Sequence, residues 1–273
     1  MSFTHPVKTV SISRNMQINT ENTSPLVSNP ELSVVIPVYN EAEAIIPLVR
    51  EVSAVLGSKI RHEIIIVDDG SIDETSNALI QLMHDPGLQL RLIQHISNCG
   101  QSAAIQTGIQ SARSPWIATL DGDGQNDPAD IFKLLKERDN GGDPELKLVC
   151  GYRKKRHDNI IRRLSSRVAN AVRSNILQDS APDTGCGLKL IHRATFLGLP
   201  FFDHMHRFIP ALVKRAGAGM ISVEVSHRPR KTGKSKYSIN NRLWTGIVDL
   251  FGMLWLIRRG SSPIKKEVTR YDF

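Results

Sequence analysis

At 273 residues with 40% hydrophobic content, the chain can bury one full domain core, or a core plus a small appendage. Three scattered cysteines (Cys99, Cys150 and Cys186) exclude a disulfide framework and a cysteine-based zinc site, and favour a reducing compartment. The net charge of +8 is concentrated: residues 151–177 carry a net +7 and residues 225–242 a net +6, leaving −5 for the rest, so an anionic partner is expected.

Residues 1–30 are rich in Ser, Thr and Asn without periodicity and read as a disordered tail, in which no secretory signal is visible. Leu32–Pro37 is a continuous apolar run, as expected of a strand buried on both faces, and Asn40, Glu41 and Glu43 lead into a helix ending near Leu56. Glu63–Val67 is a second such strand, closing on Asp68-Asp69-Gly70-Ser71, with Asp73 capping the next helix. Leu90–His95 reads as a third strand, followed by a helix over 101–112. Trp116–Leu120 is a fourth, and it ends in Asp121-Gly122-Asp123-Gly124-Gln125 before the helix start Asp127-Pro128. A strand at 146–151 and a basic helix over 158–177 follow. Strands alternating with helices predict an α/β domain with a mostly parallel sheet and helices on both faces. In such sheets ligands bind beyond the carboxyl ends of the strands. Tyr39, Asp68, Asp69, Asp121 and Asp123 all fall there.

Asp121 and Asp123 stand two residues apart, so on an extended chain they share a face. Paired carboxylates repel unless a cation lies between them, and Mg²⁺ or Mn²⁺ suits all-oxygen ligands. Gly122 and Gly124 are expected to leave space for a bulky ligand. The plainer alternative is an acidic turn between strand and helix. An EF-hand is excluded, because its sixth and twelfth positions hold Asn126 and Phe132. Gly233-Lys234-Ser235 lacks the first glycine of a P-loop, and Gly185-Cys186-Gly187 lacks the third glycine of a dinucleotide fingerprint. His204 and His206 alone do not make a metal site.

Val35-Ile36-Pro37-Val38-Tyr39-Asn40-Glu41, Val67-Asp68-Asp69-Gly70-Ser71 and Asp121-Gly122-Asp123-Gly124-Gln125, in that order, resemble the inverting GT-A glycosyltransferases of family two. More narrowly, residues 31–240 look like the polyprenyl-phosphate sugar transferases. The resemblance implies a GT-A catalytic domain in which Pro37, Tyr39, Glu41 and Asp68 line the nucleotide base and ribose, and Asp121, Asp123 and Gln125 hold the metal. It implies that Arg153, Arg162 and Ser166 receive the acceptor phosphate, and that Arg230, Ser235 and Lys236 belong to a segment over the donor diphosphate. The reaction it implies moves a hexose-type sugar from a nucleotide-sugar donor to a polyprenyl phosphate, undecaprenyl or dolichyl. Gly124 departs from the larger apolar residue of many relatives. The base markers of hydroxyl-directed relatives, a Glu-Asp pair and a Q-x-x-R-W run, are absent; Pro182–Gly187 stands in their place. A phosphate monoester is already largely ionised at neutral pH, with a second pKa of about 6, and needs no base; it needs cations.

From Arg242 to Ile257 the chain is apolar except along Arg242, Thr245, Asp249 and Gly252, whose spacing places them on one helix face. The run is shorter than the roughly 20 residues needed to span a bilayer. With Trp244 and Trp255 and the terminal Arg258-Arg259, residues 241–260 read as an amphipathic interfacial helix, ahead of a basic tail at 261–273. Packing on the catalytic domain or on a second subunit is the alternative. Together these readings place the protein in the cytoplasm, peripheral on the cytoplasmic face of the membrane, with a possible homo-oligomer or membrane-protein partner. The competing readings are a soluble transferase with a saccharide or protein hydroxyl acceptor, and a non-catalytic binding module. Nucleic acid is not expected as a partner, because the basic runs lack interleaved aromatics for base stacking.

Overall fold

The computed structural model describes residues 30–140, 142–154, 177, 179, 181–229 and 239–259. Within them, β1 (Leu32–Val38) and β2 (His62–Asp68) pair in parallel through their whole length, and every residue of both is buried. Their side chains alternate between two cores. Val34, Ile36, Ile64 and Ile66 enter one, with α1 (Ala42–Leu56), α2 (Thr75–Leu82) and α4 (Ile131–Asn140). Val35, Ile65 and Val67 enter the other, beneath α3 (Gln101–Ser111). The continuous apolar runs thus reflect burial on both faces, as expected of a parallel sheet covered by helices.

The sheet has seven strands in the order β3-β2-β1-β4-β6-β5-β7, with β3 at Leu90–Gln94, β4 at Trp116–Thr119, β5 at Leu146–Arg153, β6 at Lys189–His192 and β7 at Gly219–Val225. Only β6 runs against its neighbours, pairing antiparallel with both β4 and β5. The carboxyl ends of the other six strands and the start of β6 therefore lie along one edge. Loops that are far apart in sequence meet there.

Two short helices, α5 (Arg193–Leu197) and α6 (Ile209–Arg215), complete the second face together with α7 (Ile239–Arg258). Met253 of α7 is 1% exposed in that core, Asp249 pairs with His204 at 3.2 Å, and the Arg215 guanidinium donates to the Leu256 carbonyl at 3.0 Å. The face turned to the domain thus includes Asp249 and Met253, while Val248, Phe251, Gly252 and Trp255 face outward. The expected grouping of Asp249 with Gly252 on one face is corrected. Asp249 is drawn inward by its partner, which apolar periodicity alone does not reveal.

Candidate active site

The first wall comes from β1 and β2. Asn40 adopts a left-handed turn (φ 53°), and its side-chain oxygen accepts the Ile72 N–H at 2.8 Å while its own N–H donates to Ser71 Oγ at 2.9 Å. Glu41 N–H donates to Thr75 Oγ1 at 2.9 Å. These bonds fasten together the two strand-end loops that carry Tyr39, Glu41 and Asp68, while Pro37 is buried within β1, opposite Val67. Asp68 is buried; its Oδ1 accepts the Ser71 N–H at 3.0 Å and its Oδ2 accepts the Ser76 hydroxyl.

Asp69 has a structural task. It accepts from Cys99 N–H at 2.9 Å, from Gly100 N–H at 2.7 Å, and meets His95 Nδ1 at 2.7 Å. The ligand atoms of Asp69, His95 and Cys99 lie within 4.8 Å of one another, but these bonds use the carboxylate to satisfy the start of α3.

At the end of β4, Asp121 and Asp123 are both half-buried. Asp121 Oδ1 accepts Gln101 Nε2 at 2.9 Å, and its N–H donates to Asn126 Oδ1 at 3.2 Å; Asp123 Oδ1 accepts the Gln125 N–H at 3.1 Å. Enclosure of the carboxyl, and then the charge of Asp123, push the Asp121 pKa up to about 6; Lys189, Arg153 and the Gln101 hydrogen bond pull the other way without cancelling this. A carboxylate pair still short of positive charge, beside the amide of Gln125, is an all-oxygen donor set that fits a hard divalent cation. Gly124 (φ 70°) has open space around it, so a larger residue there would face backbone strain, not crowding. Gly122 does not leave the expected ligand space: a Cβ on it would come within 2.7 Å of Val38 Cγ1, so its lack of a side chain lets the turn close against β1.

The opposite wall is the loop before β6, which sequence patterns did not single out as structure. A Cβ on Gly187 would overlap the Asp121 carboxyl, and the Gly187 carbonyl accepts Thr119 Oγ1 at 2.6 Å. Lys189, directly opposite Thr119 in register and 5% exposed, donates its ammonium to the carbonyls of Thr184 and Cys186. Arg153 at the end of β5 makes a two-pronged contact with Asp183, at 2.7 Å to Oδ2 and 3.1 Å to Oδ1. The Arg153 charge favours the ionised form of Asp121, but its fork already holds a carboxylate. Arg162, Ser166, Arg230, Ser235 and Lys236 lie outside the described residues, as does the basic helix expected over 158–177 apart from its last residue.

A mostly parallel sheet with this acidic strand end defines a glycosyltransferase of the GT-A type. The chain belongs to the glycosyl transferase family 2, whose model matches residues 33–197. It is 38% identical over 245 residues to the dodecaprenyl-phosphate galacturonate synthase of Rhizobium johnstonii, covering 87% of this chain and 70% of that protein. It is 34% identical over 209 residues to the undecaprenyl-phosphate 4-deoxy-4-formamido-L-arabinose transferase of Photorhabdus laumondii, where it spans 63% of the relative's length. Among solved structures, glucosyl-3-phosphoglycerate synthase from Mycobacterium tuberculosis, in complex with Mn²⁺, UDP and phosphoglyceric acid, superposes with a TM-score of 0.63. That match covers 85% of this chain and 80% of the other at 15% identity, a likeness of fold.

Proposed function

We propose that the protein is an inverting glycosyltransferase that moves a sugar from a nucleotide-sugar donor to a polyprenyl phosphate, with Mg²⁺ or Mn²⁺ held by Asp121, Asp123 and Gln125. The observation that carries the reading is the strand-end pair Asp121 and Asp123, in which enclosure, and then the charge of Asp123, lifts Asp121 to about 6. The relatives named above act on polyprenyl phosphates. A cation held by Asp121, Asp123 and Gln125 would supply Lewis-acid stabilisation for a departing nucleoside diphosphate. Asp68, Tyr39 and Glu41 orient the base and ribose along the β1–β2 rim. Each Asp68 oxygen accepts one hydrogen bond from the protein and retains a further lone pair for the donor.

The acceptor assignment rests on charge. Asp183, where a hydroxyl-directed enzyme would need a free base, is locked in the ion pair with Arg153, with side chains only 6% and 13% exposed. Both Asp183 oxygens are taken up by the guanidinium. An acceptor that arrives already ionised needs no base, and Arg153 stands ready to share its guanidinium with a phosphate. The outward row of α7 supports the reading of peripheral attachment to the cytoplasmic membrane face. Val248, Phe251 and Trp255 are each more than half exposed, with Arg258 and Arg259 at the helix end. No helix among the described residues is long and apolar enough to cross a membrane.

Asp123→Ala should abolish transfer to undecaprenyl or dolichyl phosphate across a panel of nucleotide sugars, read by mass spectrometry of the lipid product, with an unchanged melting temperature. Full transfer with unchanged metal dependence in this variant would remove the reading.

A further inference from the structure

Arg228 stands three residues beyond the end of β7, on the segment that meets the acidic turn after β4. Its backbone N–H donates to the Gln125 carbonyl at 3.0 Å, and its own carbonyl accepts Gln125 Nε2 at 3.4 Å. Next to it, His227 forms an isolated antiparallel bridge with Asn126, the buried residue whose side chain receives the Asp121 N–H. The Arg228 guanidinium then reaches two carboxylates from different elements: Glu51 of α1, at 2.8 and 2.9 Å, and Asp127, at 2.8 Å. Asp127 closes the acidic turn and accepts the Ala129 N–H at 3.0 Å, which starts the short helical turn before α4.

We infer that Arg228 is a positioning residue for divalent-cation binding: it clamps the turn Asp121–Asp127 onto α1 and fixes the Gln125 amide so that its oxygen remains as a ligand. This rests on the metal-dependent reading given above. The reasoning is geometric. An amide offers a cation only its oxygen. With Nε2 turned toward the Arg228 carbonyl at 3.4 Å, the amide oxygen is the end left for a cation. The guanidinium fork is suited to holding two carboxylates at once, which a lysine ammonium on a flexible stem does less well. Outer partners that orient metal ligands typically contribute about 10–100-fold in metal affinity.

Charge alone predicts the opposite effect, which makes the test sharp. Removing a cation near the turn and freeing Glu51 and Asp127 should attract Mn²⁺ more strongly; loss of the clamp should weaken binding. Mn²⁺ affinity is measured by titration with the free-ion electron paramagnetic resonance signal, in the presence of UDP, on the full chain and on Arg228→Met, Arg228→Lys and Glu51→Gln, with melting temperatures in parallel. The expected result is about a tenfold or greater loss for Arg228→Met, partial recovery in Arg228→Lys, and a smaller loss in Glu51→Gln. Unchanged or tighter Mn²⁺ binding in Arg228→Met overturns the inference. If that variant does not fold, wild-type affinity in Glu51→Gln overturns it equally. If the wild type itself takes up no Mn²⁺, or takes it up equally well as Asp123→Ala, the metal site fails as a whole, an outcome distinct from failure of Arg228 alone.

Discussion

Gly187→Ala is the most direct probe of whether the position of Asp121 matters. Gly187 lies on the loop before β6, and a methyl group there would overlap all three carboxyl atoms of Asp121. Ordinary carbon contacts begin near 3.5 Å, so either the loop or the carboxyl must retreat by roughly 1 Å. The loop cannot give easily: its Gly187 carbonyl is held by Thr119 at 2.6 Å, and Lys189 ties down Thr184 and Cys186 behind it. Overpacking of this kind costs about 1–3 kcal/mol of stability. A misplacement of about 1 Å in a reacting group costs on the order of 10²-fold in rate. Initial rates of sugar transfer at saturating Mn²⁺, alongside thermal melts, should show a large fall in kcat with a modest fall in Tm. Gly124→Ala is the control, with open space but a left-handed backbone, and should cost about 1 kcal/mol of strain without displacing either carboxylate. A Gly187→Ala enzyme with wild-type kcat and metal affinity would show that the Asp121 position is not set by this loop.

The raised pKa of Asp121 carries a pH signature. Its carboxyl titrates near 6 in the folded protein against an ordinary 3.8, so the folded state holds the proton more tightly and metal-free stability should fall as pH rises between these values. A divalent cation replaces that proton, so the Tm gain on adding Mn²⁺ should be small below about pH 5 and grow through about pH 6; a gain independent of pH would contradict this. On α7, Phe251→Ser with Trp255→Ser should reduce co-sedimentation with anionic liposomes at least about tenfold, since full burial of each such side chain contributes about 1.5–3 kcal/mol. Tm should hardly change, because both are well exposed; a lowered Tm with unchanged liposome binding would instead mark a packing role. Truncation after Asn241 is a poorer test, since it also removes Met253 from the core.

The central strands were legible because burial on both faces writes itself as unbroken apolar runs, Leu32–Pro37 and Glu63–Val67 among them. β6 and β7 were not. β6 is four residues long and begins with a lysine that sequence rules place at the surface, yet Lys189 is buried because two carbonyls receive its ammonium. β7 carries half-buried residues behind a glycine, too weak a pattern to stand out beside the basic run that follows it. The pairs Arg153–Asp183 and Arg228–Glu51 join residues 30 and 177 positions apart, a separation at which only topology brings partners together.

Motif spacing identifies which groups can ionise, but not which have been neutralised, and that distinction decides where a cation goes. Six aspartates crowd the edge formed by the strand ends and the β6 loop. Asp69 is consumed by the start of α3 and by His95, Asp183 by Arg153, and Asp127 by Arg228. Asp68 accepts bonds on both oxygens from Ser71 and Ser76. Among the described residues Asp121 and Asp123 are held by neutral donors, Gln101 and the Gln125 N–H, and enclosure, then the charge of Asp123, lifts the Asp121 pKa to about 6. The fold satisfies the carboxylates that build the edge and leaves this pair short of charge. The shortfall is what a divalent cation and the diphosphate it accompanies would meet.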